Sequence, residues 1–129
     1  MAKIMIIEDN DVHNRLLCDN VEDLGHEAMT FFDVEPAKAM LKELGQNVPE
    51  LFIIDMQIKQ SMKSSLDFIK FLSKSRHYKE IPVIIISAFM TKDNIKDELP
   101  GFNLDNVIEK PFNVETMTSK IKALLKGKK

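Results

Sequence analysis

Leu51-Phe52-Ile53-Ile54-Asp55 is an apolar run without polar alternation that ends abruptly on a carboxylate. A strand with one wet face alternates apolar and polar side chains, whereas a strand covered on both faces reads as a continuous apolar run. Residues 4–7, 28–32 and 83–86 share that character, and residues 104–108 show it more weakly. Five such runs predict the strands of a parallel sheet.

The segments between the runs carry a helical period. Within residues 36–44, Ala37, Met40, Leu41 and Leu44 recur at i, i+3, i+4 and i+7, which places them on one face. Val12, Leu16, Leu17, Val21 and Leu24 are read as the apolar face of the first helix, and Val114, Met117, Ile121, Leu124 and Leu125 as that of the last. A third helix near residues 65–74 has Leu66, Ile69 and Leu72 to bury. A fourth, near residues 91–99, has little beyond Ile95 and Leu99 before Pro100-Gly101 stops it, and is expected to be the least firmly anchored. Strand and helix therefore alternate five times. Right-handed crossovers turn that order into an α/β, doubly wound (βα)5 fold, a five-stranded parallel sheet with helices on both faces. Functional residues belong at the carboxyl ends of its strands.

A chain of 129 residues suits one domain, taken as residues 1–125, followed by a short basic tail at 126–129 with no output domain. The net charge of −2 offers no global positive field, so neither nucleic acid nor a membrane surface is an expected partner. Cys18 is the single cysteine, which excludes an internal disulfide and a thiolate metal cage. The apolar run within residues 1–7 is too short for a secretory signal, and no segment approaches the ~20 apolar residues of a membrane span. A cytoplasmic protein is expected.

The residues directly after each strand converge on one edge of such a sheet. Glu8-Asp9 come after the first, Asp55 after the third, Ser87-Ala88 after the fourth and Lys110-Pro111 after the fifth. Alone, Asp9 or Asn10 reads as a helix cap and Asp55 as a turn residue. Together, three mutually repelling carboxylates invite a hard divalent cation such as Mg2+, and a lysine and a hydroxyl add positive charge and a hydrogen bond opposite. That set suits a phosphoryl group.

Ile6-Ile7-Glu8-Asp9-Asn10, Ile53-Ile54-Asp55, Ile85-Ile86-Ser87-Ala88 and Ile108-Glu109-Lys110-Pro111-Phe112 resemble, in order and placement, the receiver domains of bacterial two-component response regulators, in particular single-domain chemotaxis-type receivers with a flavodoxin-like fold. The resemblance covers nearly the whole chain. It implies that Asp55 is the phosphoacceptor, that Glu8 and Asp9 hold Mg2+ directly or through water, and that the backbone carbonyl of Gln57 completes the metal shell. It further implies that Ser87 bonds a phosphoryl oxygen, that Lys110 pairs with the phosphoryl group, and that the Lys110-Pro111 bond is cis. The implied partners are a histidine kinase or histidine phosphotransfer protein as donor, and a downstream protein target docking on the face made by helix 4, strand 5 and helix 5. The only chemistry implied is the chain's own aspartyl phosphorylation and dephosphorylation.

Several positions depart from that pattern. Residues 56–65 carry neither the Pro nor the Gly usual after the acceptor, which predicts a long, mobile loop. Val107 stands where an aromatic rotamer switch is typical. Gln57 and Phe89 occupy positions that tune dephosphorylation in the family. These departures keep a phosphorylation-independent, receiver-like adaptor as the serious alternative. A haloacid-dehalogenase-type phosphotransferase would need a second Asp where Gln57 stands, and a flavodoxin-like electron carrier would not place Glu8-Asp9 against a phosphate. His13, His26 and His77 lack ligand spacing and read as surface residues. Met56, Met62 and Met90 are expected to flank the cleft.

Overall fold

In a computed structural model, residues 1–56, 62–88 and 90–126 are described. The order is β1 (Lys3–Ile7), α1 (Asp11–Asp23), β2 (Glu27–Phe31), α2 (Val34–Leu44), β3 (Leu51–Asp55), α3 (Met62–Lys74), β4 (Val83–Ser87), α4 (Lys92–Glu98), a 3-10 turn (Leu104–Asn106), β5 (Val107–Glu109) and α5 (Val114–Lys126). All strand pairs are parallel, in the order β2-β1-β3-β4-β5, so the chain winds outward both ways from β1. This is the expected doubly wound (βα)5 fold.

Every residue of β3 and β4 is buried, as their unbroken apolar runs require. Successive side chains point to opposite faces, and the sheet accordingly divides two cores. Met5, Ile7, Phe52, Ile54 and Ile85 pack against Ala37 and Leu41 of α2, Phe68, Ile69 and Leu72 of α3, Ile95 of α4 and Leu99 just after it. Ile4, Ile6, Ile53, Ile84 and Ile86 pack against Leu17 and Val21 of α1 and Met117 and Ile121 of α5. Burying each such side chain contributes about 1.5–3 kcal/mol, which fixes the register: Ile7 pairs with Ile54, and Asp55 with Ile86. Glu8 and Asp55 thus leave neighbouring strands at the same height.

Some expectations are corrected. β2 is an edge strand with a single ladder partner and no fully buried residue, and Phe32 lies outside it, half exposed. Val12 and Leu16 are 71% and 44% exposed; at 3.6 residues per turn they lie well away from the stripe of Leu17, Val21 and Leu24. Val114 is likewise exposed at the start of α5. α2 begins before Pro36, capped by Asp33, whose side chain accepts from the Val34 amide; proline is tolerated in a first turn. α3 begins at Met62 rather than near Ser65. Residues 104–106 form a 3-10 turn, leaving only Val107–Glu109 as β5. Thr91 caps α4 in a reciprocal box with Asn94, and α4 ends before Gly101, whose φ of 91° suits glycine. The expectation of a mobile loop falls mainly on residues 57–61, and that of a basic tail on 127–129, which lie outside the described residues.

Candidate functional site

Burial, capping and register build one cluster at the carboxyl edge. Glu8 is fully buried. Its Oε2 accepts from the Asn10 amide at 3.1 Å, and Asn10 Oδ1 in turn accepts from the His13 amide at 2.9 Å as the N-cap of α1. Asn14 Nδ2 donates to the Glu8 carbonyl at 2.9 Å and to the Phe31 carbonyl at 3.3 Å, tying the start of α1 to the ends of β1 and β2. Asn10, expected as a helix cap, therefore also aims a carboxylate.

Asp55 ends β3, 1% exposed, with its carbonyl accepting from Ser65 Oγ at 3.3 Å. Lys110 comes directly after β5, its amide donating to the Ser87 carbonyl at 2.7 Å, and its bond to Pro111 is cis, as the resemblance implied. Lys110 Nζ lies 3.2 Å from Glu8 Oε1 and 3.2 Å from Asp55 Oδ2. Glu8, Asp9 and Asp55 each offer a carboxylate oxygen within 4.8 Å of the others. They border an open cleft of about 630 Å3, lined also by Ala88, Lys110 and Phe112.

One ammonium cannot offset three carboxylates. Burial above all, with a hydrogen bond to the Asp55 carboxyl, pushes the Glu8 pKa up to about 8, against the opposing pull of the Asn10 amide and Lys110. The all-oxygen donor set, with two of its three members out of water, fits a hard divalent cation, which would displace the proton Glu8 otherwise retains.

The sequence-predicted Glu8, Asp9, Asp55 and Lys110 are brought together. Ser87 sits at the neighbouring strand end, but its hydroxyl faces the next loop, donating to the Met90 carbonyl at 2.8 Å and accepting from the Met90 amide at 2.9 Å. Gln57, Phe89 and the Met62 side chain lie outside the described residues. Met56 does not flank the cleft; it is fully buried in the core, and Met90 is half-buried against that core. His26 accepts from the Ala2 amide and His77 contacts the Gly45 carbonyl, both ordinary roles. His13 is different: its Nδ1 lies 3.1 Å from Lys110 Nζ. Its position as the third residue of a capped helix beside Glu8 is the signal that spacing alone did not yield.

With strand ends, acids and lysine so arranged, the fold and site define a receiver domain, and residues 4–122 match the response regulator receiver domain. The chain belongs to this family, whose members are signalling modules of two-component systems. It is 28% identical to the polar-differentiation response regulator DivK of Brucella ovis, covering 95% of this chain and 94% of DivK. It is 27% identical to the DNA-binding dual master transcriptional regulator RpaA of Synechocystis, over 98% of this chain and 50% of RpaA, and so spans about half of that relative. Among solved structures, the chemotaxis response regulator CheY4 of Vibrio cholerae superposes with a TM-score of 0.80 at 22% identity, covering 97% and 99% of the two chains. A signal receiver domain from Clostridium thermocellum gives 0.81 at 16%, covering 97% and 98%. Among the described residues, no helix is long and apolar enough to cross a membrane.

Proposed function

We propose that the chain is a cytoplasmic phosphorelay switch in which Asp55 accepts a phosphoryl group from a histidine kinase or histidine phosphotransfer protein. Lys110 Nζ held 3.2 Å from both Asp55 Oδ2 and Glu8 Oε1, beside Asp9, carries this reading. An Asp55 carboxylate oxygen forms the new bond to phosphorus as the donor's phosphorus–nitrogen bond breaks; the electron pair returns to that nitrogen, and the imidazole leaves neutral because its other ring nitrogen carries a proton. Little covalent chemistry is asked of the protein; positioning and charge compensation dominate.

Glu8, Asp9, Asp55 and the Gln57 carbonyl would hold Mg2+, which supplies compensation for the charge on the transferring oxygens. Lys110 supplies the remaining positive charge from the opposite side, moving from Asp55 Oδ2 to a phosphoryl oxygen. Ser87 would donate to another phosphoryl oxygen by turning its hydroxyl away from the Met90 carbonyl. The phosphorylated form would then dock a downstream protein on the face of α4, β5 and α5.

Intact mass after incubation with Mg2+ and phosphoramidate, beside Asp55→Asn, tests the reading. A gain of about 80 Da that needs both Mg2+ and Asp55 supports it. A folded protein that gains nothing would instead be an adaptor working without phosphorylation, an alternative kept open by Val107, which is buried and aliphatic where an aromatic rotamer switch is typical of the family.

A further inference from the structure

The Lys110 ammonium has three N–H donors and no acceptor. Two point at buried carboxylates, Glu8 Oε1 and Asp55 Oδ2, both at 3.2 Å. The third faces His13 Nδ1 at 3.1 Å. Since lysine can only donate, Nδ1 must accept, which places the imidazole proton on Nε2. His13 Nδ1 is 3.9 Å from Glu8 Oε1, too far for a hydrogen bond, so the ammonium is its partner.

We infer that His13 is a positioning residue for Lys110: by taking one N–H on the solvent side, it holds the other two toward Glu8 and toward the Asp55 oxygens. The inference rests on Asp55 as phosphoacceptor for its consequence, though not for the contact itself. An ammonium on a four-carbon stem is a freely rotating, strongly hydrated charge, and only its surroundings fix its direction. Here the lysine side chain is 12% exposed while His13 is 42% exposed, so the contact lies at the solvent edge of the buried carboxylates. His13 is itself placed by the backbone: its amide donates to Asn10 Oδ1, and the Asn10 amide donates to Glu8 Oε2. One helix cap therefore sets both the carboxylate and the imidazole around the same ammonium. When Lys110 shifts a donor from Asp55 to a phosphoryl oxygen, the bonds to Glu8 and His13 persist as pivots.

The test compares the 15N-labelled chain with His13→Asn, whose Oδ1 sits one bond beyond Cγ as Nδ1 does, and His13→Leu, which keeps the branching but lacks an acceptor. The Lys110 ammonium cross-peak and the rate of phosphoryl uptake from phosphoramidate with Mg2+ are read for each. The cross-peak is expected in the unsubstituted chain and in His13→Asn, and lost in His13→Leu. Uptake is expected to fall roughly tenfold in His13→Leu and to stay within about threefold in His13→Asn. Retention of the cross-peak in His13→Leu, or an equal loss of rate in both variants, overturns the inference. If the unsubstituted chain takes up no phosphoryl group, the reading of Asp55 fails, and the ammonium signal alone still decides the role of His13.

Discussion

Ser87 Oγ spends both of its hydrogen-bonding roles on Met90, donating to its carbonyl at 2.8 Å and accepting from its amide at 2.9 Å. Met90 immediately precedes Thr91, the cap of α4, a seven-residue helix with one fully buried side chain. The hydroxyl proposed to sense the phosphoryl group is thus the one that pins the entry to the least anchored helix. Turning it toward a phosphoryl oxygen releases the Met90 carbonyl.

Ser87→Ala removes both bonds and leaves the Met90 groups to water, at a cost of about 1 kcal/mol in urea unfolding. Amide exchange through Lys92–Glu98 is expected to quicken in the variant without phosphorylation. In the unsubstituted chain it should quicken only on phosphorylation, because only then does the hydroxyl leave Met90.

Lys110→Met deprives Glu8 and Asp55 of their shared cation. Phosphoryl uptake should fall on the order of a hundredfold, the scale of losing one preorganised charge at a transferring group. Mg2+ should bind several-fold more tightly, because the ion no longer competes with an ammonium 3.2 Å from two of its proposed ligands. Calorimetric titration of the variant with Mg2+ reads both the sign and the size.

Burial raises the Glu8 pKa to about 8 from 4.5. Between those values the folded chain keeps a proton that the unfolded chain has lost, so Glu8 favours folding at low pH and this contribution declines as pH rises toward 8. The metal-free protein should lose up to about 1.4 kcal/mol per pH unit across that window from this group. Glu8→Gln should flatten the slope. Mg2+ binding at pH 7 should release close to one proton, read from titrations in buffers of different ionisation heat.

Phe68 is 1% exposed and meets Phe52 edge to face, with ring centroids 6.1 Å apart. Phe68→Ala should cost about 3–5 kcal/mol in chemical unfolding, from lost burial and the cavity left behind between α3 and β3.

The strands readable in the sequence are those whose physics is unambiguous. β1, β3 and β4 are covered on both faces, so their apolar runs leave little alternative, and the site is legible with them because acids and lysine stand at the strand ends or directly after them. β2 resembles them in sequence, but its edge position is set by topology, which a local run does not encode. Val12 and Leu16 share the apolar character of Leu17 and Val21, yet helical angle separates them. Residues 104–108 divide into a 3-10 turn and a short strand, the turn being started by Asn103, whose side chain accepts from the Asp105 amide. His13 and the Ser87–Met90 pair depend on the direction in which a capped helix or a turn aims one side chain. For Ser87 that direction is set by the local turn, and for His13 by where the capped helix sits relative to Lys110, and no spacing rule supplies either.

If Asp55 becomes an acyl phosphate, borohydride reads it directly, because it reduces an aspartyl phosphate to homoserine at the modified position. After incubation with Mg2+ and phosphoramidate, followed by reduction and peptide mass analysis, homoserine is expected at position 55 and only when Mg2+ was present. Homoserine at another residue, or none in a folded, Mg2+-loaded sample, would show that Asp55 is not the phosphoacceptor.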